Sequence, residues 1–133
     1  MDARLILETT FVIDLEREAH RGEPGPAHRF LEEHPEAPLA VTLTTAGELA
    51  GGPRTGERPS WEELIGRFEL LVPDLETAWR YGQTFRYLRD NGNLIGSNDL
   101  WIAATGLAHG LAVVTANEAH YRRVPGLDVL GYR

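Results

Sequence analysis

GSNDLWIAATGLAHGLAVVTANEAHY, residues 96–121, is the run whose reading decides the architecture. Ser97 is placed to cap the amide groups of a helix's first turn, and Asp99 sits within that turn, where the helix dipole favours negative charge. Leu100, Ala103, Ala104, Leu107 and Ala108 then recur at helical spacing, and Gly110 fits as the helix stop. Leu111–Val114 follows as a short apolar run with two valines, the pattern of a strand buried on both faces. Thr115 and Asn117 come just past its carboxyl end, the rim of an open α/β sheet where ligands bind.

The rest of the chain repeats this alternation. Arg4–Leu7 reads as a strand, followed at once by Glu8, Thr9 and Thr10. A helix then turns Phe11, Val12 and Leu15 to a core and Asp14, Glu16, Arg17 and Glu18 away from it. Gly22–Pro26 breaks that helix, and Ala27–Glu33 forms a second. Pro38–Val41 is a strand, after which Thr42 or Thr44 caps a helix running through Glu48 and Leu49 to the Gly51–Gly52 stop. Ser60-Trp-Glu-Glu has the spacing of a capping box, and Glu69–Val72 is a third strand. Asp74–Asp90 carries Leu75, Ala78, Trp79, Phe85 and Leu88 on a long helix, and Val124–Gly131 supplies an edge strand around Val129. Strands alternating with helices predict a three-layer α/β/α sandwich with a mainly parallel central sheet, in a single domain spanning 1–133.

Composition narrows the function. The 133 residues are 42% hydrophobic and 25% charged, an ordinary globular mixture. No cysteine is present, which excludes disulfides and thiolate metal sites. A net charge of −7 repels nucleic acid on average and argues against a simple DNA-binding module. It is compatible with a nuclease whose acids cluster around cations. With neither a membrane-length apolar run nor a basic-then-apolar leader, the expectation is a cytoplasmic protein with no membrane partner.

Three acids share a local placement: Glu8 after the first strand, Glu48 in the helix after the second, and Asp99 in a helix's first turn. Each lies among apolar residues, and lone buried carboxylates need cations or donors to balance them. Mg²⁺ takes one or two carboxylates and keeps its other positions for water and phosphate. Taken singly, Asp99 reads as a helix-start acid, Glu48 and Asp14 as solvated helix residues, and Glu8 as a strand-end charge. The five histidines lack HxxxH spacing, and no P-loop or G-x-S-x-G elbow occurs. Trp61, Trp79 and Trp101 suit core or interface positions better than base stacking. The residues alone reach a divalent-metal phosphodiesterase in an α/β fold.

Three blocks carry a family likeness: LILETTFVIDL, TLTTAGELAGG, and the long IGSNDLWIAATGLAHGLAVVTANEAHYRRVPGLDVLGY. Together they resemble the PIN-domain family, and within it the VapC-type toxins of bacterial and archaeal toxin–antitoxin pairs. The resemblance implies a metal-dependent endoribonuclease using Mg²⁺ or Mn²⁺, with Glu8, Glu48 and Asp99 as metal ligands. Asn117 joins them as a catalytic position, and Thr10 and Thr115 position substrate or water. It also implies an RNA substrate, a cognate VapB-type antitoxin and a homodimer. Two departures stand out: Glu8 replaces the family's Asp, and His120 stands where relatives often carry an acid. These suggest a rival reading, a catalytically weakened protein that binds antitoxin or RNA. A phosphohydrolase with an aspartyl nucleophile is a third, but the D-x-D pair it uses is missing.

Overall fold

The structure, a computed structural model, describes residues 2–133. Its strands are β1 (Leu5–Leu7), β2 (Leu39–Thr42), β3 (Glu69–Leu71), β4 (Ala112–Thr115) and β5 (Val129–Gly131). The helices are α1 (Thr9–Arg21), α2 (Pro26–Glu33), α3 (Leu43–Ala50), α4 (Arg58–Ile65), α5 (Leu75–Asp90), α6 (Ser97–His109) and the single turn α7 (Glu118–Tyr121). All strand pairings are parallel, in the order β3-β2-β1-β4-β5. This is the expected α/β sandwich: four of the anticipated strands appear with ends shifted by a residue at most, and the fifth is confined to Val129–Gly131 of the anticipated Val124–Gly131.

Side-chain alternation along the central strands divides the core in two. Ile6, Ala40 and Val113 point to the face covered by α5 and α6, where Leu88, Leu100, Ile102 and Ala103 are buried. Leu5, Leu7, Val41 and Val114 point to the opposite face, beneath Phe11, Val12, Phe30, Leu49 and Leu64 of α1 to α4. A sheet covered on both faces needs apolar residues at consecutive positions, which is why LIL and AVV read as unbroken runs.

Several local expectations are corrected. Gly96, not Ser97, is the N-cap of α6 and makes no side-chain cap bond; Ser97 is already helical. The Ser60 capping box does not form. Pro59, with its backbone preset for a helix's first turn, lets α4 begin at Arg58, so Ser60 lies too far inside to cap it. Asp14 is not simply solvated: it accepts hydrogen bonds from the Tyr132 hydroxyl (2.6 Å) and Arg133 Nε (2.7 Å). Glu18 is buried, accepting from the Gly25, Ala27 and His28 amides and facing His28 Nδ1 at 2.7 Å. On α5 only Leu88 of the anticipated apolar set is buried, while Leu75, Trp79 and Phe85 are exposed. Thr42 does cap α3, accepting from Thr45 N.

Candidate active site

β2, β1 and β4 are neighbours in the sheet, and their carboxyl ends form one rim. Glu8 follows β1 directly and is the N-cap of α1. Glu48 lies on α3, which starts where β2 ends. Asp99 reaches the rim differently. Its helix runs back to the start of β4, so the first turn of α6, with Asp99, lies at the end where β4 terminates.

Glu8 is the most enclosed of the three, at 3% exposure. Its Oε2 accepts from Thr10 N (3.1 Å), and its Oε1 accepts from the hydroxyls of Thr10 (2.8 Å) and Thr115. The direction of these bonds is forced from outside. Thr10 Oγ1 accepts from Ala116 N and Thr115 Oγ1 from Asn117 N, and a backbone N–H can only donate. Each hydroxyl therefore turns its own hydrogen to Glu8. Burial raises the Glu8 pKa above the ordinary carboxylate value; the bonds from Thr115 and Thr10 pull against this, and the Asp99 charge adds to the rise.

Glu48 is exposed and accepts from Thr9 Oγ1 at 2.7 Å, with Thr45 Oγ1 2.9 Å from the same hydroxyl. Asp99 accepts from the Tyr121 hydroxyl at 3.1 Å, and His120 Nδ1 stands 3.7 Å from its other oxygen. Tyr121 is fully buried, and its pKa is raised first by that burial and then by the charges of Glu8, Asp99 and Glu48. One phenol thus feels all three acids, and at any physiological pH it is neutral, a hydrogen-bond donor to Asp99.

Of the expected residues, Thr10 and Thr115 bond Glu8 directly, and Asn117 joins the rim through its backbone while its side chain is exposed and makes no cap bond. Each acid is satisfied by its own donors. As they stand, no three His, Asp or Glu side chains among the described residues are grouped to hold an ion. The donor chemistry nevertheless fits a hard divalent cation: oxygen ligands only, and a buried carboxylate whose charge is opposed by burial and by a second acid. Sequence reading missed Thr9, Thr45 and Tyr121. The Thr9-Thr10 pair was a usable signal, since adjacent helical residues point about 100° apart and can serve two different acids. Nothing local marked Tyr121.

A PIN domain family model matches residues 5–127. Over 101 residues, 76% of each chain, the sequence is 35% identical to Ribonuclease VapC10 of Mycobacterium tuberculosis. It is 30% identical to Ribonuclease VapC1 of Haemophilus influenzae over 107 residues, 77% of this chain and 80% of the relative. Among solved structures, VapBC-1 from nontypeable Haemophilus influenzae superposes with a TM-score of 0.78 at 26% identity, covering 96% of this chain and 97% of that one. DNA-bound VapBC from Salmonella typhimurium gives 0.80 over 98% of both chains, and at 21% identity shows a shared fold. The match across nearly the whole sandwich, together with these identities, places the chain in the PIN-domain family, within its VapC branch.

Proposed function

We propose that this chain is a metal-dependent endoribonuclease toxin that hydrolyses RNA phosphodiester bonds and is held in check by a VapB-type antitoxin. The observation that carries the reading is that Glu8, bonded to Thr115 at the end of β4, Asp99, bonded to the buried Tyr121, and Glu48, bonded to Thr9, stand at the carboxyl ends of neighbouring strands of a parallel sheet, its ligand-binding rim. The ribonuclease relatives support it. Glu8, Glu48 and Asp99 would hold Mg²⁺ or Mn²⁺, which when bound lowers the pKa of water and neutralises charge building on the phosphodiester.

The chain's own residues prepare that site. Thr10 and Thr115 fix the Glu8 carboxylate through hydroxyls that backbone amides have already oriented. Thr9 steadies Glu48, and Tyr121 holds one Asp99 oxygen and leaves the other toward His120. Asn117, exposed beside the Glu8–Thr115 contact, is placed to meet substrate or water. A homodimer through the apolar face of α5 completes the proposed assembly.

The test is cleavage of a mixed RNA pool with Mg²⁺ or Mn²⁺ by the wild type and by Asp99→Asn. Asparagine keeps the shape and the Tyr121 bond but removes the charge that holds a hard cation. Cleavage should be abolished with the melting temperature nearly unchanged. Wild-type rates in the variant would return Asp99 to a helix-start role.

A further inference from the structure

All thirteen basic residues of this acidic chain are arginines, and their pairing is uneven. Seven form ion pairs with carboxylates: Arg4, Arg58, Arg67, Arg80, Arg89, Arg122 and Arg133. Arg86 bonds Gln83 and Arg123 bonds the Leu94 carbonyl. Among the described residues, Arg17, Arg21, Arg29 and Arg54 are left with no side-chain partner. These four are not scattered over the surface.

They line three adjoining concavities that begin at the candidate active site. The first, about 120 Å³, is bounded by Glu48, Arg17 and Arg54. Arg17 is shared with the second, about 280 Å³, which adds Arg21 and Arg133. Arg133 and Pro26 are shared with the third, about 530 Å³, which adds Arg29. The path therefore runs from Glu48 across α1 to α2 and β5.

Three of the five acids along the path are engaged within the fold. Glu16 pairs with Arg67 at 3.4 Å, Asp14 is held by Tyr132 and Arg133, and Glu18 is buried among amide donors. Among the described residues, Glu33 at the far end and Glu48 at the near end have no ion-pair partner. Five arginines and five acids line the path, so what distinguishes it is not an excess of charge but four guanidinium groups without a carboxylate partner, gathered on a molecule whose net charge is −7.

We propose that this arginine track binds the phosphate backbone of single-stranded RNA and feeds it to the acid rim; the inference rests on the ribonuclease reading above. A guanidinium fork matches two phosphate oxygens, and four forks with no internal carboxylate lose no ion pair on engaging a polyanion. Neutralised phosphates release counterions, so binding should be sequence-tolerant and salt-dependent.

The experiment uses full-length Asp99→Asn protein with chelator, so that binding is read without cleavage. The probe is a fluorescein-labelled, unstructured RNA of about 12 nucleotides, within the range single-strand grooves take. Anisotropy is followed between about 50 and 200 mM salt. Arg17→Ala, Arg21→Ala, Arg29→Ala and Arg54→Ala should each weaken binding roughly eightfold at about 50 mM and flatten the log–log salt slope by ~0.7, the counterion-release value of one single-strand phosphate. Arg80→Ala and Arg86→Ala, on α5, should change neither.

Unchanged RNA binding in the quadruple Arg17/Arg21/Arg29/Arg54 alanine variant would overturn the track. Equal losses in the two α5 variants would overturn it too, because the field would then be global. So would a polyglutamate peptide that binds with the same arginine dependence while the RNA does not, since the occupant would then be an acidic protein segment. Wild-type protein that fails to cleave RNA while the arginine dependence stands would remove the nuclease reading and leave the track.

Discussion

Glu8 carries the sharpest question at the level of single residues. Its carboxylate is held by three donors, two of them on one oxygen. Aspartate at an N-cap still accepts from the first-turn amides, so Glu8→Asp would keep the cap while drawing the carboxylate back from Thr115. An oxygen released from that contact becomes available to a cation. We expect Glu8→Asp to bind Mg²⁺ more tightly and to cleave RNA faster, with the wild type preferring Mn²⁺. Calorimetry on both proteins, paired with cleavage, decides; equal or weaker binding by the aspartate form would show that the longer arm suits the site. Because burial raises the Glu8 pKa, its contribution to stability is present at low pH and lost as pH rises through the folded value. Tyr121→Phe makes a second test. It removes the donor to Asp99 and should cost about 1 kcal/mol of stability. Metal affinity should fall with it, because Asp99 loses its orientation; an unchanged affinity would leave Tyr121 a packing residue.

Among the elements, the α1–α2 connection depends on one buried acid. Burial alone would raise the Glu18 pKa, but the amides of His28, Ala27 and Gly25 and the His28 ring outweigh it and hold the carboxyl at about 2, down from 4.5. A lowered folded value means stabilisation that is complete above the unfolded value and lost as pH falls from 4.5 toward 2. Glu18→Gln should destabilise the protein by about 1–3 kcal/mol at neutral pH, since amide donors lose an ionised acceptor. The variant should also lose that part of the acid-unfolding limb. An unchanged acid limb in chemical-denaturation titrations would rule the carboxylate out as the clasp of this turn. Gly25 belongs to the same device: a Cβ there would stand 2.7 Å from the Glu18 carboxyl carbon.

For the molecule as a whole, the exposed apolar surface of α5 is the outstanding feature. Leu75 is 87% and Trp79 62% exposed, one helical turn apart, with Phe85 and Tyr87 exposed further along the helix. Adjacent large apolar side chains mark an interaction surface more often than isolated ones do. If the proposed homodimer uses this face, Trp79→Arg should shift sedimentation equilibrium from dimer to monomer while leaving the melting temperature of the monomer unit nearly unchanged. A wild type that sediments as a monomer would remove the homodimer from the proposal. No helix among the described residues is long and apolar enough to cross a membrane.

What the sequence determined by itself was set by periodicity. LIL, LAV and AVV are apolar at consecutive positions because the centre of a parallel sheet is covered on both faces, and that pattern survives in one dimension, whereas ELL of the edge strand β3 buries only Leu71. The placement of Glu8, Glu48 and Asp99 at strand ends and a helix start was legible for the same reason. Only the tertiary structure decided which donors each acid meets. Thr115 lies 107 residues from Glu8 in the chain, and Tyr121 comes to Asp99 only because α7 folds back over the rim. It also decided that Glu18 and Asp14, on what reads as a solvated helix face, are engaged by Gly25–His28 and by Tyr132–Arg133. Hydrogen bonding between groups remote in sequence leaves no periodic trace, and the same four letters of a helix face serve equally well for water or for a partner.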